Sequence, residues 1–142
     1  MKKIILIGKT GCGKTTLTQS LNKKNIKYKK TQAIEYKNGV LDTPGEYIEN
    51  RRFYNALIVS SSDCDIIGLV QDSTSDQLVF PPGFASMFNK PVVGIVTKID
   101  CENKDVNQAI KYLRMAGVKK MFEVSSINNE GINNIRALLE EK

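Results

Sequence analysis

The sequence predicts an α/β fold in which a mostly parallel sheet carries helices on both faces and has one antiparallel edge strand. Short apolar runs alternate with amphipathic stretches along the 142-residue chain, which is the pattern of strand–helix–strand units. The first of these runs, residues 3–8, is apolar from Ile4 onward, as in a strand buried on both faces. Residues 33–42 contain Asn38 and Gly39, a pair that favours a tight hairpin turn and therefore an antiparallel edge.

Three further strands are expected after the first strand and the hairpin. Residues 65–72 and 91–100 are apolar runs of the doubly buried type, and residues 119–126 form the last strand. The segment 73–89 contains a Pro-Pro-Gly sequence, which predicts a loop followed by a short helix that begins near Pro82.

Four helices are expected from apolar residues spaced three or four apart, and they cover residues 14–23, 47–62, 104–117 and 130–142. In the first helix, Leu17 and Leu21 are one turn apart. The third ends at Gly117, a residue type that closes helices in a left-handed conformation. The inward-facing residues expected in the second and third helices are Ile48, Phe53, Leu57, Ile58, Val106, Ile110 and Leu113.

Composition indicates one domain, residues 1–142, with no segment for a membrane. No apolar run approaches the roughly 18 residues of a membrane span, and the N-terminal apolar run is too short for a signal peptide, so we expect a cytoplasmic protein. The chain has three cysteines, Cys12, Cys64 and Cys101. Because their number is odd and none are in CxxC spacing, we expect reduced thiols and no disulfides. The absence of histidine excludes Ser–His and Cys–His nucleophile pairs and imidazole metal ligands.

Much of the net charge of +6 comes from one run of lysines, Lys23, Lys24, Lys27, Lys29 and Lys30. Three interpretations stay open: a solvated surface, a docking patch for an acidic partner, or a contribution to holding a polyanionic ligand. No basic–aromatic interleaving indicates RNA or DNA, so no nucleic acid partner is expected.

The stretch GKTGCGKTT carries the most specific motif in the chain. Gly8, Gly13, Lys14 and Thr15 satisfy G-x-x-x-x-G-K-[ST] between a buried strand and a helix. Glycines let backbone N–H groups point inward around an anion, and the helix N-terminus adds the positive end of its dipole. Lys14 can supply charge to the β- and γ-phosphate oxygens, and Thr15 Oγ can ligate Mg²⁺. The nucleotide-contacting residues expected here are Gly8, Lys9, Thr10, Gly11, Cys12, Gly13, Lys14, Thr15 and Thr16.

Cys12 lies inside this loop, where backbone amides and a helix start are expected to lower the pKa of its thiol. Two interpretations stay open. The thiol is either a redox switch at the phosphate site or a small side chain at a position where only the backbone matters.

Two features of the segment LDTPGE indicate a magnesium ion and a γ-phosphate. Asp42 ends a predicted strand, where its carboxylate can hold a magnesium-bound water. The backbone N–H of Gly45 can meet a γ-phosphate and so respond to its presence.

The segments TKID, residues 97–100, and EVSS, residues 123–126, indicate a base-binding site. Asp100 can accept hydrogen bonds from guanine N1–H and N2–H, whereas adenine would leave it unpaired, and sites of that type reject the wrong base by about 10⁴. The Lys98 stem can stack along the base, and the backbone N–H of Ser126 can meet guanine O6. These segments end predicted strands, at the edge where open α/β sheets bind ligands.

The motifs Gly8–Thr15, Asp42–Gly45, Thr97–Asp100 and Ser125–Ser126 resemble, in this order, those of Ras-like small GTP-binding proteins. The resemblance covers nearly the whole chain. It implies the three-layer P-loop NTPase fold of a Ras-like G domain and binding of GTP or GDP with Mg²⁺.

More narrowly, residues 28–36, 41–57 and 80–85 resemble the EutP/PduV family of ethanolamine and propanediol utilisation. Proteins of this family are encoded with bacterial microcompartment pathways. The resemblance implies a role beside a protein-shelled compartment and a protein partner in its shell or among its enzymes.

The sequence departs from the small-GTPase pattern at two positions. Thr97 stands where these proteins usually have Asn; it can hydrogen-bond toward the phosphate loop but reaches less far, so guanine selectivity is softened and ATP stays open as a ligand. Glu46 stands where a water-positioning Gln is usual, and a carboxylate is repelled by a γ-phosphate and cannot donate to it. Slow hydrolysis is therefore expected, with Lys14, Gly45 and Glu46 as the candidate catalytic residues.

Three more residues have two interpretations each. Thr31 is either a switch threonine for Mg²⁺ and the γ-phosphate or a strand-entry residue, and it completes the candidate metal set with Thr15 and Asp42. Arg51 and Arg52 either lend charge to the phosphates or begin a solvated helix.

Three hypotheses about function follow. The chain is a GTP-binding switch with weak hydrolysis, a kinase that transfers a phosphoryl group to a small carboxylate such as acetate, or a non-enzymatic nucleotide-bound adapter of a microcompartment shell. The kinase hypothesis comes from a proposal made within the EutP-like family. Against it, the chain has no evident lid and only four arginines, which makes exclusion of water difficult.

Overall fold

The computed structural model describes residues 2–21, 35–37 and 39–140, with the backbone alone for residues 35–37. Within these ranges the strands are β1 (Ile4–Ile7), β2 (Glu35–Lys37), β3 (Val40–Asp42), β4 (Ile66–Asp72), β5 (Val92–Thr97) and β6 (Lys120–Glu123). The helices are α1 (Lys14–Leu21), α2 (Glu46–Glu49), α3 (Tyr54–Ser61), α4 (Val106–Met115) and α5 (Ile132–Glu140). Short 3₁₀ turns cover Arg51–Phe53 and Phe84–Met87, the second close to the short helix expected near Pro82.

The six strands form one sheet in the order β2-β3-β1-β4-β5-β6. All neighbours from β3 to β6 are parallel, whereas β2 pairs antiparallel with β3. The hairpin between β2 and β3 turns through Gly39, whose φ of +85° is a left-handed conformation that glycine adopts without strain. The predicted α/β fold with an antiparallel edge is therefore confirmed.

The apolar run of β1 contributes to two cores, one on each face of the sheet. Ile5 and Ile7 join a cluster with side chains of α3 and α4, and Ile4 and Leu6 join a second cluster with side chains of α1 and α5. None of the four side chains has exposed surface. Because burying each one is worth roughly 1.5–3 kcal/mol, β1 gives the loop that follows it a rigid base.

The prediction of one continuous helix over residues 47–62 is wrong, because the helix is interrupted at Asn50. This residue is extended (φ −127°, ψ 116°), and its side chain accepts a hydrogen bond of 3.2 Å from the backbone N–H of Arg52. Ile48 lies in α2 before the break and Leu57 in α3 after it, and both are buried as expected. Phe53 instead stacks on Tyr47, with ring centroids 4.7 Å apart.

The predicted strand over 91–100 is also too long, because β5 ends at Thr97. Lys98 has φ +62°, a left-handed conformation that takes the backbone out of the sheet, so Asp100 lies in a turn beyond the strand.

The close of α4 agrees with the prediction at Gly117. The N–H of Gly117 donates to Arg114 O and that of Val118 to Leu113 O, both at 3.0 Å, and Gly117 has φ +100°. This pair of bonds satisfies the last carbonyls of the helix. No helix in the described part of the chain is long and apolar enough to cross a membrane.

Candidate nucleotide site at the carboxyl edge of the sheet

The phosphate loop connects β1 to α1 and depends on two glycines with positive φ, Gly11 at +85° and Gly13 at +101°. The loop is closed by a bond of 3.1 Å from Cys12 N–H to the carbonyl of Lys9. A Cβ on Gly8 would lie 2.7 Å from the carbonyl oxygen of Val70, so no larger residue fits there without a shift of the backbone. The residue types of the motif therefore match the backbone that a phosphate nest requires.

Lys14, the first residue of α1, is buried, and its ammonium is folded over the loop that precedes it. Lys14 Nζ lies 3.4 Å from the carbonyl oxygen of Lys9 and 3.9 Å from Cys12 Sγ. A cation held over backbone amides and a helix start makes a concentrated positive site.

Thr15 and Asp42 meet at the candidate metal position. Thr15 Oγ1 donates to Asp42 Oδ2 at 2.8 Å, which joins the start of α1 to the end of β3. Hydroxyl and carboxylate oxygens are the ligand types that Mg²⁺ prefers, so this pair fits the ion that the motif implies. Thr31, the third expected ligand, lies outside the described residues, as does the lysine run.

Thr97 and Lys98 connect the end of β5 to the phosphate loop. Thr97 Oγ1 donates to the carbonyl of Cys12 at 2.6 Å, and Lys98 Nζ donates to the carbonyl of Gly11 at 2.7 Å. The same ammonium pairs with Asp72 Oδ2 at 2.8 Å. The expectation that Thr97 hydrogen-bonds toward the loop agrees with this geometry.

Asp100 is exposed in the turn after β5, rather than buried at a strand end. Ser125 Oγ donates to Asp100 Oδ1 at 2.8 Å, and Ser125 is itself held by backbone hydrogen bonds in both directions with Glu130. Ser126, half-buried beside it, accepts a bond of 3.4 Å from Ser20 Oγ through its carbonyl. The segment that follows β6 therefore orients the carboxylate that was expected to bind the base.

Gly45 lies against the phosphate loop at very close range. A Cβ on Gly45 would be 2.1 Å from Thr10 N and 2.2 Å from Thr10 Oγ1, which leaves space for hydrogen only. Glu49, one turn further on, accepts a hydrogen bond of 3.3 Å from Thr10 N–H through Oε1. Glu46 is exposed at the start of α2. The segment expected to respond to a γ-phosphate thus touches the loop directly.

The expectation for the Cys12 thiol is wrong in direction. Burial raises the pKa of Cys12 and outweighs the opposing effect of the Lys14 charge. The side chain points into the interior against Gly8 and Val70, where the loss of solvent outweighs both the Lys14 charge and the hydrogen bond from the Lys14 backbone, which lower the pKa. Geometry therefore favours the second interpretation of Cys12, a small buried side chain. The three cysteines are free thiols, as expected.

Three residues of the site were not anticipated. Asp72 pairs with Lys98, Glu49 contacts Thr10, and Gln71 lies buried beside the loop. For Gln71 and Asp72, a signal was present in the sequence, because this polar pair ends an otherwise apolar strand. Arg51 and Arg52 are exposed, with the guanidinium of Arg52 4.9 Å from the Phe53 ring centroid.

A parallel sheet with a glycine-rich phosphate loop between its central strand and a helix defines a P-loop α/β protein of the nucleotide-binding class. The family model described as "PduV-EutP: Ethanolamine utilisation - propanediol utilisation" matches residues 1–141. The chain belongs to this family.

Curated relatives agree with this assignment. The chain is 41% identical over 143 residues to "Propanediol utilization protein PduV" of Citrobacter freundii, covering all of this chain and 95% of that protein. It is 33% identical over 138 residues to "Probable acetate kinase EutP" of Escherichia coli (strain K12), covering 95% and 87%. It is 28% identical over 156 residues to "GTPase Der" of Campylobacter curvus, covering 95% of this chain and 33% of that longer protein.

Proposed function

We propose that this chain is a single-domain, cytoplasmic, Mg²⁺-dependent GTP-binding protein with slow intrinsic hydrolysis that serves ethanolamine or propanediol utilisation beside a bacterial microcompartment. The observation that carries the proposal is the double connection of Thr97 and Lys98 to the carbonyls of Cys12 and Gly11. It fixes a base-side segment against a phosphate-side loop, which is what a protein needs to bind both ends of a nucleotide. Similarity to "GTPase Der" supports guanine as the base.

On the phosphate side, backbone N–H groups of the loop other than those of Thr10 and Cys12, which are bonded to Glu49 and Lys9, would bind the phosphate oxygens, and Lys14 would balance their charge. Lys14 is already buried over the loop, so it loses little conformational freedom when an anion arrives. Thr15 and Asp42 would hold Mg²⁺, which supplies positive charge to the β- and γ-phosphate oxygens.

On the base side, Asp100 accepts from guanine N1–H and N2–H while Ser125 holds the carboxylate in place. Lys98 lies between this turn and the loop, so its aliphatic stem can lie along the base plane. Adenine does not have this pair of donors, so the Asp100 carboxylate would make neither of these hydrogen bonds to it.

Slow hydrolysis follows from Glu46. Its carboxylate adds negative charge next to the γ-phosphate and cannot donate a hydrogen bond to the charge that develops there in the transition state. Glu49, whose Oε1 accepts from Thr10 N–H, adds a second carboxylate on the same side.

A second candidate function is phosphoryl transfer to a small carboxylate, because several relatives carry the name "Probable acetate kinase EutP". In that reaction the acceptor oxygen would attack the γ-phosphate held by Lys14, and the nucleoside diphosphate would leave. A coupled assay for acyl phosphate, with Lys14→Ala as the blank, tests this candidate. Product no higher than the blank would remove it.

Calorimetric titration of GDP, GTP and ATP with Mg²⁺ tests the main proposal. Wild-type protein should bind both guanine nucleotides more tightly than ATP, Lys14→Ala should lose the γ-phosphate contribution, and Asp100→Ala should lose the preference for guanine. Asp63→Ala, which removes an exposed carboxylate in the turn after α3, is the matched control. Equal affinity for ATP and GTP in the wild type would contradict guanine recognition.

A further inference from the structure

A surface recess of about 320 Å³ lies between the start of α3 and the Pro-Pro-Gly segment that follows β4. Besides Gly83 and the nearly buried Phe84, its walls are the partly or fully exposed side chains of Arg51, Tyr54, Pro81, Pro82 and Met87. The phosphate loop, the Thr15–Asp42 pair and the Asp100 turn do not line it, so the recess lies outside the candidate nucleotide site.

The Pro-Pro-Gly wall of this recess is held firmly in place. Gly83 has φ +75°, and its N–H donates to the carbonyl of Met115 in α4 at 3.0 Å. The Phe84 ring contacts the Tyr54 ring edge-on, with centroids 5.3 Å apart. Packing of the fold explains Gly83 and Phe84, whereas the exposed rings of Pro81 and Pro82 present apolar surface to solvent. Because prolines fix the backbone, little conformational freedom is lost when a partner binds there.

A second recess lies on the exposed face of α4. Its apolar side chains are Ile110 and Met115, of which Met115 is 42% exposed. Lys111 and Arg114, three positions apart and therefore on one helix face, add two positive charges. Gly83 lines the first recess and Met115 the second, so the hydrogen bond between them makes the two recesses neighbours. Together they form what we call the proline–α4 surface.

The charge on the proline–α4 surface is positive on both sides. Arg51 lines the first recess and Lys111 and Arg114 line the second, and no Asp or Glu of the described residues lines either one. In the same part of the chain none of these three cations forms a salt bridge, because the pair found there joins Lys98 to Asp72. Unpaired cations around apolar recesses are complementary to a partner that carries both carboxylates and an apolar group.

A protein segment fits this surface better than a membrane does. Electrostatic attachment to anionic lipid takes clusters of about four to eight basic residues, beside apolar groups that enter the lipid. Here three cations surround recesses, and a recess receives a side chain rather than inserting one.

We propose that the proline–α4 surface docks an acidic segment of a partner protein in which one large apolar side chain is flanked by Asp or Glu. The apolar side chain enters the recess beside Pro82 and Met87. Its flanking carboxylates pair with Arg51 on one side and with Lys111 and Arg114 on the other. Since a cavity of about 150 Å³ holds benzene, a recess of about 320 Å³ has room for an aromatic side chain. This docking goes beyond the proposed function and does not depend on it.

Methionine-methyl NMR of the full chain tests the proposal. Met87 and Met115 each line one of the two recesses, whereas Met121 lies beside Gly94 in the interior and serves as the internal reference. The probe is a synthetic peptide with one tryptophan between two runs of glutamate. It should shift the Met87 and Met115 signals, leave Met121 unchanged and bind with a Kd below about 1 mM.

Two altered peptides separate the apolar contribution from the charge. A peptide with alanine in place of tryptophan should bind at least about tenfold more weakly, because burying a large apolar side chain is worth roughly 1.5–3 kcal/mol. A peptide with lysine in place of glutamate should shift neither Met87 nor Met115, because like charges repel.

Charge reversal tests each side of the surface separately. Arg51→Glu and Lys111→Glu, both at exposed positions, should each weaken binding of the glutamate peptide about tenfold, because repulsion replaces attraction. Lys120→Glu is the matched control. Lys120 is exposed beside the Phe122 ring, which packs on the opposite face of the sheet, so this variant should bind the peptide as the wild type does.

Unshifted Met87 and Met115 signals, equal shifts with the lysine peptide, or undiminished binding in both Arg51→Glu and Lys111→Glu would overturn the proposal. Equal shifts with vesicles of anionic phospholipid would overturn it as well and would assign the surface to a membrane. GTP titration of the same samples separates the two proposals. GTP binding without peptide binding refutes the docking surface alone, whereas peptide binding without GTP binding supports the surface and contradicts the proposed function.

Discussion

The hydroxyl of Thr97 donates a hydrogen bond of 2.6 Å to the carbonyl of Cys12, joining the last residue of β5 to the middle of the phosphate loop. Thr97 is buried, and a Cβ on the neighbouring Gly13 would lie 3.7 Å from its Cβ. A threonine therefore reaches the loop here, although small GTPases usually have the longer asparagine. Thr97 therefore differs from the asparagine of the small-GTPase motif in its side chain, but it still makes a hydrogen bond to the phosphate loop.

Replacing Thr97 by Val should destabilise the protein and weaken nucleotide binding together. The isosteric change removes the hydroxyl and leaves the Cys12 carbonyl buried without this donor, at a cost of about 1–3 kcal/mol in the free energy of unfolding. Urea denaturation and GDP calorimetry measure the two effects.

Thr97→Ser is the control for this prediction, because it keeps the hydroxyl and removes only a methyl group. It should retain most of the nucleotide affinity. If Thr97→Ser and Thr97→Val weaken GDP equally, the hydroxyl bond is not what holds the loop.

Local patterns in the sequence were sufficient for the sheet, the phosphate loop and the helix end at Gly117. In each case the residue type itself determines the backbone, as with the positive φ of Gly11 and Gly13. Asp42 could be predicted beside Thr15 because parallel strands end at one edge of a sheet.

Features that depend on contacts between distant segments could not be predicted. The thiol of Cys12 was expected to have a lowered pKa from its place in the loop, but the side chain turns inward, and burial raises the pKa instead. Likewise, nothing in the sequence near Glu49 indicates that its carboxylate reaches Thr10. The break at Asn50 reflects a side-chain cap that competes with the helix, a choice that short-range periodicity does not reveal.

Gly45→Ala should disturb the contact between α2 and the phosphate loop. Gly45 has ordinary helical angles (φ −59°, ψ −31°), so alanine carries no backbone strain there. Its Cβ, however, would lie 2.1 Å from Thr10 N, and the segment must move. We expect the free energy of unfolding to fall by about 1–3 kcal/mol in urea denaturation, as for other overpacked sites. Glu49→Ala, which removes only the exposed bond to Thr10, should cost less than about 1 kcal/mol, and an equal loss in both variants would contradict the steric explanation.

Glu46→Gln should accelerate GTP hydrolysis. In the proposed function, the amide would remove a negative charge beside the γ-phosphate and would add a donor for the charge that develops in the transition state. We expect kcat to rise at least about tenfold, since single donors of this kind contribute 10² or more in other enzymes. Single-turnover phosphate release measures the rate, with the exposed Glu102→Gln as the charge-matched control. An unchanged rate in Glu46→Gln would show that this position does not face the reacting phosphate.

Alkaline pH should destabilise the fold through its buried thiols. Burial raises the pKa of Cys12 and of Cys64 above the ordinary value of about 8.5 that a thiol has in an unfolded chain. Below that pH both states hold their thiol protons and stability is unaffected. Above it the unfolded chain releases protons that the folded protein retains, so the free energy of unfolding falls by up to about 1.4 kcal/mol per pH unit for each thiol.

Urea denaturation at about pH 8 and about pH 10 measures this loss, and Cys64→Ala should reduce it, because one titrating group has been removed. Ser62→Ala, two residues away and without an ionisable group, controls for the local change and should lose as much stability as the wild type. Tyrosine and lysine titration is common to all three proteins and cancels in the comparison. A loss in Cys64→Ala equal to that of the wild type would show that the Cys64 thiol does not carry the effect.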